Sequence, residues 1–243
     1  MNVLGELVAR ERRSDRPAFR LDGAESYSYH DLCTTAWKAG NVLRHYGVAA
    51  GRHVEVAAVA HPAPVLTFLG AASIGAVTRF GPRPASDARA VLVPTAAEDD
   101  HELTPGSKLF VYGDRPERPG TIHWETDVWS ENPAIPPYDV SPDDPVLVAG
   151  DDETTLSHRE TLDRAEFIVG DFGLDAETQV AVRGTLERPG TVVAGLVAPL
   201  LAGGTIVAGD DPEPADVAVV GSTEETAGVP ESVVVVGADV FDG

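Results

Sequence analysis

The sequence predicts an α/β protein of two related α/β lobes, each a mostly parallel sheet with flanking helices. Three observations lead there. Short apolar runs alternate with capped or Pro-started helical segments, the pattern of parallel strands joined by crossover helices. The sequence also answers itself: Gly47 is matched by Gly173 at an offset of 126 residues, Val54 and Val56 by Val180 and Val182, Gly75 by Gly203 at 128, and Ala90-Val91-Leu92 by Ala218-Val219-Val220. Third, 243 residues with 43% hydrophobic content suffice for a sizeable packed core. The expected division is a first lobe over 1–94, a Pro- and Trp-containing connector over 95–142 and a second lobe over 143–243.

Taken in order, Val3, Leu4, Leu7 and Val8 recur at helical spacing and predict a short amphipathic N-terminal helix. Asp22-Gly23 between alternating segments is a hairpin signal. Ser28 followed three residues on by Asp31 is a capping box, and Leu32, Ala36, Ala39, Val42 and Leu43 mark the inner face of the helix it opens, which ends near Gly47. A strand over 54–59, a Pro-started helix over 62–74 and a strand over 76–80 follow, then short β-rich runs over 90–93 and 109–112. In the connector, Trp124 and Trp129 are expected to pin a segment punctuated by Pro116, Pro119, Pro133, Pro136 and Pro137 to the body. The stretch 191–209 is uncharged and long enough to span a membrane, but Pro199 and Gly203-Gly204 break it into a buried helix, a turn and a strand. Near the end, 233–236 is a four-valine strand that either pairs inside its own lobe or offers an edge to another chain.

The charge balance excludes whole classes of partner. A net charge of −21, with Lys38 and Lys108 the only lysines, argues against nucleic acid and against anionic membrane, since counterion release needs a basic patch. An acidic, lysine-poor surface fits a high-salt, haloarchaeal source. Cys33 is a single cysteine, so no intramolecular disulfide can form, which fits a reducing cytoplasm. The seven histidines include no close pair at ligand spacing and there is no second cysteine, so no metal site is expected.

The stretch that organises the chain is 143–162, DDPVLVAGDDETTLSHRETL. Val146, Leu147 and Val148 read as a buried strand, and Ser157 with Glu160 forms a second capping box, so a strand runs through a loop into a helix N-terminus. Such a junction ordinarily favours a phosphate, because free amides and the helix dipole both attract an anion. This loop, Gly150-Asp151-Asp152-Glu153-Thr154-Thr155, instead carries three carboxylates, one glycine and no lysine.

DDPVLV, a gap and then LSHRETL resembles the surroundings of the nucleotide loop in the AMP-forming acyl-CoA synthetases, the acyl-adenylate-forming superfamily. Gly47-Val48 and Gly51 ahead of the strand over 54–59 resemble that family's entry to its first core strand, and the resemblance covers about the first ninety residues, is loose over 86–138, and returns through Ala208. It implies the fold of the family's large domain, with ATP and coenzyme A as the family's ligands. Ser157, His158 and Arg159 match the family's helix opening, whereas the Thr/Ser/Gly-rich loop ending in Pro-Lys-Gly is shortened and its lysine is absent. Gly221-Ser222-Thr223-Glu224 matches the family's Gly-x-Thr-Glu motif only on paper, since Val220 stands where the family has an aromatic residue. With the sequence stopping at Gly243, before the family's later motifs and its small C-terminal domain, the expectation is a truncated, degenerate homologue with no catalytic residues and no cofactor. Two functions follow from this: a non-catalytic binding or assembly subunit, as a homodimer or with a full-length acyl-CoA synthetase, or a reduced enzyme that binds acyl-CoA or an acyl group without ATP. No Gly-x-Ser-x-Gly elbow supports a Ser/His/Asp hydrolase.

Overall fold

A computed structural model describes residues 1–21, 26–134, 138–149, 154–209 and 213–241. The first unit opens with β1 (Pro17–Leu21) and β2 (Ser26–Ser28), followed by α1 (Tyr29–His45), β3 (His53–Val56), α2 (Pro62–Ser73) and β4 (Val77–Phe80). Then come β5 (Ala85–Ser86), β6 (Ala90–Pro94), β7 (Glu102–Leu103), β8 (Lys108–Tyr112), β9 (Ile122–His123) and α3 (Trp124–Ser130). The second unit opens with β10 (Pro145–Ala149) and β11 (Thr154–Ser157), then α4 (His158–Phe172) and β12 (Gln179–Val182). It continues through α5 (Pro189–Val192), a π-helical turn (Val193–Val197), α6 (Ala198–Ala202), β13 (Thr205–Ala208), β14 (Val217–Val220) and β15 (Val233–Val236).

The strands form two large, mostly parallel sheets, ordered β11-β10-β4-β3-β6-β8-β9 and β15-β14-β12-β13-β1-β2. The parallel cores share one order: β4-β3-β6-β8 in the first and β13-β12-β14-β15 in the second. Val54 pairs with Thr78 and Ala90, and Val180 pairs with Ile206 and Val217. Each sheet is extended by a hairpin distant in sequence from its parallel core. The β1–β2 hairpin extends the second sheet, with Phe19 beside Ile206, and the β10–β11 hairpin extends the first, with Leu147 beside Thr78. Without these hairpins β4 and β13 would be open edges with unpaired ladders, and each is covered by the hairpin that opens the other unit.

Local chemistry explains most elements. Both capping boxes form: Ser28 Oγ accepts from the Asp31 amide at 3.1 Å, and Ser157 Oγ from the Glu160 amide at 3.2 Å. α1 ends at Tyr46 with Gly47 at φ +88°, and α4 ends on Gly173 at φ +64°, left-handed positions that suit glycine. α1 and α2 approach closely because both are glycine at the crossing: a Cβ on Gly70 would lie 2.6 Å from the Ala36 carbonyl and the Gly40 amide. The 191–209 region folds as helix, turn and strand, with Gly203 at φ +82°, and among the described residues no helix is long and apolar enough to cross a membrane.

Two local expectations are corrected. The N-terminal segment forms two short 3-10 turns, Leu4–Val8 and Arg10–Arg12, because Ala9 between them is extended; Leu4, Leu7 and Val8 are still buried. In the connector, Trp124 is buried and its Nε1 donates to Thr67 Oγ1 at 2.9 Å, but Trp129 is 68% exposed on the far face of α3. Pro136 and Pro137, and the Asp22-Gly23 turn, lie outside the described residues. β15 pairs in parallel with β14 inside its own sheet, as β8 pairs with β6, and no described strand covers its other edge.

Candidate functional site

The junction singled out in the sequence is a hairpin feeding a helix. β10 and β11 pair antiparallel up to Ala149 beside Thr154, so the connection between them is four residues, Gly150 to Glu153, which lie outside the described residues. β1 and β2 have the same arrangement, with four residues between Leu21 and Ser26. Each hairpin leads directly into its capped helix.

The helix opening of α4 is fully engaged with its own chain. The Glu160 carboxylate accepts from the Ser157 amide at 2.8 Å and from the Ser157 hydroxyl at 2.7 Å, so a resident anion sits at the helix N-terminus. The Ser157 hydroxyl and amide hold that carboxyl below its usual range. His158 points inward with no exposed surface, and its Nδ1 accepts from the Leu4 amide at 3.0 Å, which ties the N-terminal turn to the second unit. Accepting through Nδ1 places the proton on Nε2, which has no hydrogen-bond partner among the described residues, and burial pushes the imidazole down to about 4. Arg159 donates through Nε to Asp143 at 2.9 Å and holds that carboxyl below its usual range. Thr155 lies in β11, paired with Val148, and Thr154 closes the described hairpin.

A second feature, which sequence reasoning missed, is a cleft of about 650 Å³ where the C-terminal ends of both parallel sheets meet. Its walls are the segment after β3, through Val59 and His61, and the segment after β12, through Arg183 and Thr185. The Leu186 amide donates to the Ala58 carbonyl at 3.0 Å and stitches the two sheets together below it. The His61 ring stacks on Tyr112 at 4.6 Å and caps α2 by accepting from the Ala63 amide, and burial lowers its basicity. Arg183 is held by Glu231 in a two-pronged pair at 2.7 and 2.9 Å. Crevices at the carboxyl ends of parallel strands are the usual ligand position in such folds. The available signal was His61-Pro62, a ring placed at the start of a buried helix. Gly221 to Glu224 lie after β14, where the Gly221 amide donates to Glu225 at 2.8 Å. Among the described residues no group of three His, Cys, Asp or Glu side chains could hold a metal.

Solved structures share this architecture. A benzoate–CoA ligase from Burkholderia xenovorans LB400 matches with a TM-score of 0.76 and 19% identity over 90% of this chain. An anthranilate–CoA ligase, AuaEII, solved with anthranoyl-AMP, matches with a TM-score of 0.75 and 14% identity over 89% of this chain.

The fold matches about half of the chain in solved CoA-ligase structures.

A Brucella canis acyl-CoA synthetase matches similarly, with a TM-score of 0.73 and 16% identity over 89% of this chain. The chain spans about half the length of these ligase-fold structures: 50%, 49% and 47% respectively. No family model matches the sequence, and no curated protein matches it.

Proposed function

We propose that the chain is a non-catalytic relative of the AMP-forming acyl-CoA synthetases that acts as a cytoplasmic binding or assembly subunit. The observation that carries this reading is the closure of the β10–β11 hairpin at Ala149 and Thr154, which leaves four residues for a connection that must wrap a triphosphate in an adenylating enzyme. Those four, Gly150-Asp151-Asp152-Glu153, include three carboxylates and match in length the plain hairpin that opens the first unit. Each unit-charge pair at about 5 Å opposes a phosphate by roughly 3 kcal/mol at an effective dielectric of 20, against the ~0.3–1 kcal/mol a helix N-terminus returns. The helix N-terminus of α4 is, in addition, already occupied by Glu160. ATP therefore does not fit these residues as the family's nucleotide, and no step is assigned to it.

For the assembly role, the partner is a second copy of the chain or a full-length synthetase, docking at surface such as the edge of β15 that no described strand covers, where Val233 is 36% exposed. Light scattering at high salt is expected to report a dimer, or a synthetase is expected to co-purify from the source cells. A single 25.5 kDa species with no synthetase recovered overturns the assembly role. The cleft lined by His61, Tyr112 and Arg183 favours a second reading, an acyl-CoA or acyl-binding protein that does not use ATP. Calorimetry with a series of acyl-CoAs separates the two: saturable heat lost on His61→Ala supports the second reading, and its absence supports the first.

A further inference from the structure

At the opposite end of the first sheet from that cleft lies a second one, of about 620 Å³, walled by the turns that precede β3, β6 and β8. Its lining is unusual for this chain. Arg52, Arg83 and Arg89 all face it, with His53, Thr104 and Ser107, against one aspartate, Asp87. Arg83 is committed: its Nε donates to the buried Glu55 at 3.0 Å, and it pairs with Asp87 at 3.2 Å. Even counting both of those carboxylates, three guanidiniums outnumber them locally in a chain whose net charge is −21.

Among the described residues the two remaining arginines have no carboxylate partner. Arg89 donates to the carbonyls of Gly47, at 3.2 Å, and Gly106, which orients the guanidinium between two loops without cancelling its charge. A Cβ on Gly47 would strike that guanidinium, so glycine at this position, with φ +88°, admits the arginine as well as ending α1. Arg52 is exposed at the rim and makes no ion pair among the described residues. The hydroxyls of Thr104 and Ser107, 3.1 Å apart, complete a wall of donors. A fixed guanidinium, an exposed one and two hydroxyls converging on a polar cleft offer donors in several directions, which suits the tetrahedrally arranged oxygens of a phosphate.

We propose that this cleft is a binding site for a small phosphorylated anion carrying two or more negative charges, held chiefly by Arg89 and Arg52. The site is separate from the hairpin and cleft described above and does not depend on the function proposed for them. It also explains why an acidic chain keeps together two arginines that have no carboxylate partner among the described residues: the ligand supplies the counter-charge.

The test uses inorganic pyrophosphate as probe, titrated calorimetrically into the full chain at about 0.3 M potassium chloride, where the Debye length still exceeds about 3 Å. Saturable binding is expected for pyrophosphate and markedly weaker binding for citrate. Arg52→Glu, at an exposed position that leaves the fold intact, is expected to weaken pyrophosphate about tenfold or more, as is Arg89→Gln. Arg115→Glu makes the same charge change beyond the far end of β8 and is expected to leave the affinity within about twofold. The proposal is overturned if no saturable binding is seen, if citrate binds as well as pyrophosphate, or if Arg52→Glu and Arg115→Glu weaken it equally. It is overturned too if Arg89→Gln lowers only the melting temperature while Arg52→Glu changes nothing, since Arg89 is then merely a staple between loops.

Discussion

The buried histidine at the start of α4 makes stability depend on pH in a defined window. His158 titrates at about 4 when folded, because burial opposes its charge, and at 6.5 in the unfolded chain. Its folded value is depressed, so as pH falls the unfolded state takes up the proton first; the contribution is fully present above 6.5 and is lost as pH falls towards 4. At about 1.4 kcal/mol per pH unit, roughly 3 kcal/mol disappears between pH 7 and pH 4. The perturbation is His158→Asn, whose side-chain oxygen can still accept from the Leu4 amide but does not titrate. Carboxylates such as Asp143 and Glu160, both held below their usual range, also lose stability in acid, but they are common to both proteins and cancel in the difference. Urea unfolding at constant high salt and several pH values is the assay. The variant is expected to be less stable at pH 7, and the gap between the two proteins to close by roughly 3 kcal/mol by pH 4. Parallel pH profiles would refute the reasoning, since the imidazole would then not be what the acid titrates.

Three further outcomes follow from packing and charge. Gly70→Ala places a Cβ 2.6 Å from backbone atoms of α1, and the overpacking cost of about 1–3 kcal/mol should exceed the ~1 kcal/mol that alanine gains over glycine in a helix, lowering the urea midpoint. Glu231→Ala leaves Arg183 without its two-pronged partner inside a largely buried pair, and a loss of about 3–5 kcal/mol is expected by denaturation, with Glu231→Gln milder. With a charge of −21, the melting temperature should rise between roughly 0.05 M and 2 M potassium chloride as screening strengthens; an unchanged value would rule out the salt-adapted reading.

What could be read from the residues was what local chemistry decides. The two Ser-x-x-acid boxes located both helix starts, and the inner face Leu32, Ala36, Ala39, Val42 and Leu43 is buried as expected. The strand expected over 54–59 forms at His53–Val56, shorter than expected and with the buried Glu55 between Val54 and Val56, and the apolar run at Val180 and Val182 forms the strand Gln179–Val182. Pairing between distant segments was not legible. Nothing in PAFRL says that it lies beside Thr205–Ala208 and not within its own unit, because edge-covering is settled by which ladder is left open. The site was legible in the same partial way. Ser157 and Glu160 declared their mutual bonds by spacing, whereas the burial of His158 against Leu4 joins residues 154 positions apart. Arg52 and Arg89, together at one cleft, come from different turns and carry no motif.

We propose that the four-residue acidic connection between β10 and β11 and the self-capped α4 leave no seat for ATP, so that no acyl group is adenylated. Acyl-dependent pyrophosphate exchange tests it most directly, run with the intact chain, magnesium and ATP at high salt across short, long and aromatic carboxylic acids. The account predicts exchange no greater than in the no-protein control for every acid. Exchange that rises above that control in proportion to the protein, and only when an acid is present, would contradict it.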